Sequence, residues 1–154
     1  MPTEIDYARL AAYIDGEGHI GICTKKNRKA PYAFSLSIGN TDKRLMEWLS
    51  GTFGGLPIRD KSTIRKKKYW LWFIGGEAAA TLLENCLPYF IMKRDQAEIA
   101  IEFHALMRKQ IAERKASTRK YGKSFLTEEM IGKRQDLAER LHLVRSNASE
   151  RIAS

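Results

Sequence analysis

Along about the first 90 residues, apolar positions recur at helical spacing, then at every second residue, and the pair of patterns then repeats. Tyr7, Leu10, Ala11 and Ile14 fall at i, i+3, i+4 and i+7, which predicts an amphipathic helix from Thr3 to Asp15. Thr3 or Asp6 is placed to cap it, and Gly16 and Gly18 to end it through a left-handed backbone. "HIGICTK" then alternates, with Ile20, Ile22 and Thr24 on one side and His19, Gly21, Cys23 and Lys25 on the other. After a basic turn, "KNRKAP", the stretch "AFSLSIGN" alternates again, Phe34, Leu36 and Ile38 inward and Ser35, Ser37 and Gly39 outward.

A second helix is capped by Thr41 or Asp42, carries Leu45, Trp48 and Leu49, and closes at Gly51 or Gly54. A second hairpin joins a short strand at Ile58 to a strong one from Tyr69 to Ile74. "GEAAATLLENCLPYF" reads as a helix stopped by Pro88. Two longer helices follow, over 92–116 and 126–144, with "STRKYGKS" between them as a basic loop. The expected class is α+β, a single domain over 1–154 with an αββαββα core over about 3–90 and extra C-terminal helices over about 93–150.

Composition narrows the partner. The chain has 154 residues, 44% of them hydrophobic, enough to bury a core unaided, and a net charge of +9, which favours a polyanion. Cys23 and Cys86 stand far apart, which fits a reducing compartment and small buried thiols rather than a zinc site. No secretory signal opens the chain and no apolar run is long enough to span a bilayer, so a soluble intracellular protein is expected, with no membrane partner and no small-molecule cofactor.

The charge is concentrated. Arg9 is the one base of residues 1–24, against Glu4, Asp6, Asp15 and Glu17. The second hairpin holds Arg59, Lys61, Arg65, Lys66, Lys67 and Lys68 against Asp60, and the first hairpin turn holds Lys25, Lys26, Arg28 and Lys29. Residues 108–123 are equally basic and either reach flanking backbone or form a solvated loop. Two hairpins with basic turns and polar outer faces describe a sheet that lies on a nucleic-acid duplex, since a β-ribbon fits the major groove. Trp70 and Trp72 share the outward side if Tyr69, Leu71 and Phe73 point into the core. They then contact nucleic acid or cover a neighbouring strand; with the opposite parity they are core.

Asp15 and Glu17 lie where the first helix ends and the first strand begins. By spacing alone they fit polar residues at a helix exit. The run Leu10-Ala11-Ala12-Tyr13-Ile14-Asp15-Gly16-Glu17-Gly18, however, resembles the LAGLIDADG signature of homing endonucleases. Leu10, Ala11, Ile14, Asp15 and Gly18 match it, Ala12 keeps a small residue, Tyr13 a bulky apolar one and Glu17 the acid. The αββαββα order around the motif extends the resemblance over most of the chain.

The resemblance implies a site-specific double-strand DNA endonuclease that uses Mg²⁺, with Mn²⁺ or Ca²⁺ able to occupy the site. Glu17 would hold the metal with the Gly16 carbonyl beside it, Asn40 would stand where the family often has Gln, and Lys93 would stabilise charge or position the attacking water. Asp15 would bond backbone at the helix junction. One motif per chain implies a homodimer joined through Ala8, Ala11, Ala12 and Asp15, a near-palindromic target in double-stranded DNA, and short 3′ overhangs. His19, Cys23, Lys25, Asn27, Ser35, Ser37, Arg59, Lys61, Arg65, Lys68, Trp70 and Trp72 would line the DNA, with Arg59 and Lys61 placed for guanine. Lys26, Arg28, Lys29, Lys66 and Lys67 would clamp phosphates. A non-cleaving relative, an intron maturase or a DNA-binding regulator, fits the charge equally well. A basic RNA-binding structural protein explains the charge but not the helix ending in Asp-Gly-Glu-Gly.

Overall fold

The computed structural model describes residues 1–121 and 126–153, leaving aside the side chains of Arg65, 118–121 and 151–153. The elements run α1 (Glu4–Glu17), β1 (Gly18–Cys23), β2 (Ala33–Asn40), α2 (Lys43–Phe53), β3 (Arg59–Asp60), α3 (Ser62–Arg65), β4 (Trp70–Gly75), α4 (Gly76–Cys86), α5 (Arg94–Tyr121) and α6 (Glu128–Ala153). This is the expected αββαββα order with two C-terminal helices. The four strands form one antiparallel sheet in the order β1-β2-β4-β3. Ile20, Leu36, Ile38, Trp72 and Ile74 form its buried face, covered by α1, α2, α4 and α5.

Helix α1 begins in a reciprocal cap that uses both expected residues: Asp6 N–H donates to Thr3 Oγ1 and Thr3 N–H to an Asp6 carboxylate oxygen. It runs two residues further than the apolar spacing indicates, so Gly16 is helical and Glu17 is its last residue. The expected left-handed exit does not occur. Gly18 has φ −75°, and its need is space: a Cβ there would sit 2.6 Å from the Ile14 Cα. Asp42 caps α2 through Arg44 N–H, and Gly54, at φ 74°, closes it; Gly51 lies within the helix.

The second hairpin departs furthest from expectation. Its first strand is only Arg59–Asp60, and its turn contains the one-turn helix α3. The parity of its long strand is the reverse of the outward-tryptophan reading. Ile38 pairs with Trp72 and Leu36 with Ile74, and directly paired residues share a face. Trp72 is therefore fully buried, its indole N–H donating to the Gly54 carbonyl at 2.7 Å, and Trp70 packs against the core. Neither tryptophan faces the outer side of the sheet, so the expected DNA contacts of Trp70 and Trp72 are not available. Tyr69, Leu71 and Phe73 take that side instead, because β4 is an almost unbroken apolar run with no polar alternation to set its phase.

Pro88 follows α4 in a single 3₁₀ turn, Leu87–Tyr89. Helix α5 continues to Tyr121, so 117–121 are helical rather than part of a loop; 122–125, and with them Lys123, lie outside the described residues, as do the side chains of Arg119 and Lys120. Helices α5 and α6 pack on each other, and Leu137 and Leu141 of α6 enter the core. Buried Arg134 of α6 donates to Gln110 of α5 at 2.6 Å and to the Pro31 carbonyl at 3.2 Å, and Gln135 reaches the Lys29 carbonyl. Cys86 is buried as expected, whereas Cys23 is only half-buried, on the sheet's outer face with Sγ 3.7 Å from Ser35 Oγ.

Candidate functional site

The site assembles where α1 ends, β1 begins, β2 ends and α5 starts. Asp15 is buried in the last turn of α1, and its carboxylate accepts from the backbone N–H groups of Ile91, Met92 and Lys93 at 2.8, 3.2 and 2.8 Å. Those bonds fix the chain that enters α5. Lys93 then returns its ammonium group to α1, donating to the carbonyls of Ile14 and Gly18 at 2.7 and 2.6 Å. A helix C-terminus carries partial negative charge and unpaired carbonyls, and α1 has no base of its own in its last turn. Lys93 supplies one from 75 residues away. Burial pushes its pKa down, with Arg145 adding to that, while Asp15 opposes the shift.

Glu17, one residue from the end of this clamp, is exposed. Its two carboxylate oxygens lie 2.8 and 3.0 Å from Asn40 Nδ2. Asn40 Oδ1 in turn accepts from Asp42 N–H at 2.8 Å, which orients the amide so that its NH₂ faces Glu17. The fold thus brings Glu17, Asn40 and Lys93 to one place, from α1, the end of β2 and the residue before α5.

The donor set is hard oxygen: the Glu17 carboxylate and the carbonyls where α1 passes into β1, of which Lys93 engages Ile14 and Gly18. Among the described residues no three His, Cys, Asp or Glu side chains converge to hold a metal ion. One carboxylate per chain fits Mg²⁺, which keeps several waters and takes a few carboxylate and phosphate oxygens.

The outer sheet face leads away from this site. Pairing places His19 beside Ser37 and Ser37 beside Phe73, and Gly39 beside Leu71, which pairs with Arg59. Ser35 lies on the same face but is almost fully covered. Lys25, Lys26, Asn27, Arg28 and Lys29 are exposed in the first hairpin turn, where Arg28 and Lys25 lie over the Tyr32 ring. Arg59 is exposed and lies over Phe73, Lys61 is partly exposed, and Lys66, Lys67 and Lys68 are exposed beyond α3. The side chain of Arg65 lies outside the description.

Of the four residues expected to join two protomers, Ala11 and Asp15 are buried within this chain and face its own core. Ala12 is exposed and Ala8 half-exposed, and together with Gly16 they form an i, i+4, i+8 ridge beside exposed Ile5 and Tyr13.

Sequence reasoning missed Arg145 of α6. Its guanidinium lies 3.3 Å from His19 Nδ1, on the edge of a cavity of about 370 Å³ that Lys93 and His142 also line. Burial first, then Arg145 and Lys93, push the His19 pKa down. Nothing in the helical pattern of α6 distinguishes Arg145 from its solvated neighbours.

No family model and no curated protein sequence matches the chain. Solved structures do. I-CvuI, a homing endonuclease crystallised with its target in the presence of 2 mM Ca, is 18% identical, covering 92% of this chain and 82% of its own with a TM-score of 0.67. The archaeal intron-encoded homing endonuclease I-Vdi141I, complexed with DNA, is 13% identical over 92% of this chain and 84% of its own, with a TM-score of 0.68. The homing endonuclease I-TnaI is 15% identical over 92% and 97%, with a TM-score of 0.58. A helix ending in Asp15-Gly16-Glu17-Gly18, a four-stranded antiparallel sheet beyond it and helices packed on one sheet face make this chain's fold that of the LAGLIDADG homing endonucleases.

Proposed function

We propose that the protein is a site-specific DNA endonuclease that acts as a homodimer and hydrolyses one phosphodiester on each strand of a near-palindromic duplex. The observation that carries this reading is the exposed Glu17 carboxylate held by an Asn40 amide that Asp42 orients. Among the described residues this carboxylate has one partner, the Asn40 amide, and at the head of a basic sheet it is free to meet a phosphate through a divalent ion. The same-fold neighbours solved on DNA support the substrate class.

Glu17, with the Gly16 carbonyl beside it, would hold Mg²⁺. When bound, the ion polarises the phosphate and lowers the pKa of water. Asn40 keeps the carboxylate from swinging away and orders solvent around it. Lys93 carries positive charge close to the strand being cut while holding the end of α1 in place. Basic turns on both hairpins grip phosphates, and the outer sheet face enters the major groove. One carboxylate per chain and two strands to cut call for two protomers. The ridge of Ala8, Ala12 and Gly16 is the surface that allows two copies of α1 to approach closely. Cleavage across the minor groove would leave short 3′ overhangs.

The test is cleavage of a randomised duplex library with Mg²⁺, wild type beside Glu17→Gln, with the oligomeric state measured by light scattering. Recovered ends sharing a near-palindromic site, lost in the variant and made by a dimer, are expected. Enrichment of one sequence by both proteins without cutting would reduce the assignment to a DNA-binding protein. A monomer at high concentration would remove two-strand cutting.

A further inference from the structure

The water-facing side of an antiparallel sheet is ordinarily polar. Here Leu71 and Phe73 of β4, with Tyr69 just before the strand, set three large, half-buried side chains at successive outward positions. The neighbouring β2 column is small: Ser35, Ser37 and Gly39. Gly39 carries the ring of Tyr69 directly over it, since a Cβ there would clash with the phenol oxygen. Arg59 lies over Phe73 with its guanidinium carbon 5.6 Å from the ring centroid, so the apolar column and the adjacent base occupy one continuous surface. Lysines 66, 67 and 68 are exposed on the same hairpin. An apolar strip left half-exposed on an outer sheet face suits a binding surface, and the basic hairpin that carries it favours a polyanion over an apolar protein partner.

On the floor of the DNA major groove one base-edge group is apolar, the C5-methyl of thymine. We propose that Leu71 and Phe73 are specificity-determining residues that read thymine methyl groups, with Arg59 reading a base at a neighbouring pair. The inference rests on the duplex-binding reading above and adds a base identity to it. Alternate residues of a strand advance about 6.6 Å, close to the rise of about two base pairs along a duplex. Methyl-dependent positions should therefore recur at about that spacing on each half-site. The β1–β2 half of the face presents small or polar side chains, His19, Cys23, Ala33, Ser35 and Ser37, none with the apolar reach of Leu71 or Phe73.

The test uses the wild-type protein and the duplex it selects from a randomised pool, measured in EDTA so that binding alone is read. Each thymine is replaced in turn by deoxyuridine, which deletes the methyl and nothing else. One or two positions in each half-site should lose about four-fold in affinity, the worth of one buried methyl. Phe73→Ala and Leu71→Ala should each abolish that loss at one position while binding the deoxyuridine duplex as the wild type does. Circular dichroism checks that both variants are folded, and the deoxyuridine series on wild type stands without them. A selected duplex insensitive to every deoxyuridine, or sensitive at positions that neither variant moves, overturns the inference and leaves duplex binding intact. Selection of no duplex at all overturns both.

Discussion

Asp15 and Lys93 hold each other through the backbone. The Asp15 carboxylate accepts the Lys93 N–H at 2.8 Å, and the Lys93 side chain returns to the carbonyls of Ile14, just before Asp15 on α1, and Gly18, the first residue of β1. Asp15→Asn keeps the shape but turns one acceptor oxygen into a donor facing an N–H group. A loss of about 1.5–3 kcal/mol is expected, the range for hydrogen bonds to a charged group. Urea unfolding with an unchanged m-value checks it, and a midpoint equal to wild type would show the three bonds to be dispensable.

Asn40 acts through Glu17. Asn40→Ala should slow cutting by about 10- to 100-fold, typical of partners that orient a metal-binding side chain, with affinity for the selected duplex nearly unchanged. Asn40→Asp should be worse than Ala, because it sets a second negative charge where Nδ2 now lies 2.8 Å from Glu17. Single-turnover cleavage and binding in EDTA separate the two effects. If Asp and Ala variants cut equally, the amide does not touch the working carboxylate.

Trp72 belongs to stability and not to recognition. Trp72→Ala should cost about 3–5 kcal/mol for an emptied core site, and Trp72→Phe about 1 kcal/mol for the lost bond to Gly54. The folded Phe variant should select the same duplex as wild type. A changed base preference in that variant would return Trp72 to the DNA face.

The cysteines should separate by reactivity and by pH. Burial pushes the Cys86 thiol up to about 12, whereas an unfolded thiol ionises near about 8.5. A raised acid pKa contributes stability that is present below the unfolded value and lost as pH rises toward the folded one. Urea midpoints should therefore fall between about pH 9 and 11, and less steeply in Cys86→Ala. Alkylation of the native protein at pH 8 should label Cys23 alone.

The sequence carried most of the fold because most of its segments declare a phase. Ser35 and Ser37 alternate with Phe34, Leu36 and Ile38, and only one face can be dry. "YWLWFI" declares none, and its parity depends on which residue of β2 each tryptophan meets, a long-range fact. Glu17, Asn40 and Lys93 are candidates that the motif and its surroundings supply; apolar and polar alternation does not single them out. The bond from Asn40 to Glu17 spans 23 residues and follows from the β1–β2 register. Ala11 suits an interface by size alone, because a small side chain serves close helix approach on either face of α1, yet it is fully buried within this chain. Arg134 and Arg145 had no signal, since a basic residue that turns inward and one that stays in water look alike in a helical pattern.

Arg134 also bears on whether the first hairpin can be moved as a piece. The turn that carries Lys25, Lys26, Arg28 and Lys29 is tied by its Pro31 and Lys29 carbonyls to α6, and through Gln110 to α5. Its shape is therefore set by residues a hundred positions downstream. A hairpin grafted from another scaffold would arrive without its mooring, and a chain truncated before α6 would keep the loop's letters but lose its aim. The first hairpin turn and the two helices behind it form one structural unit.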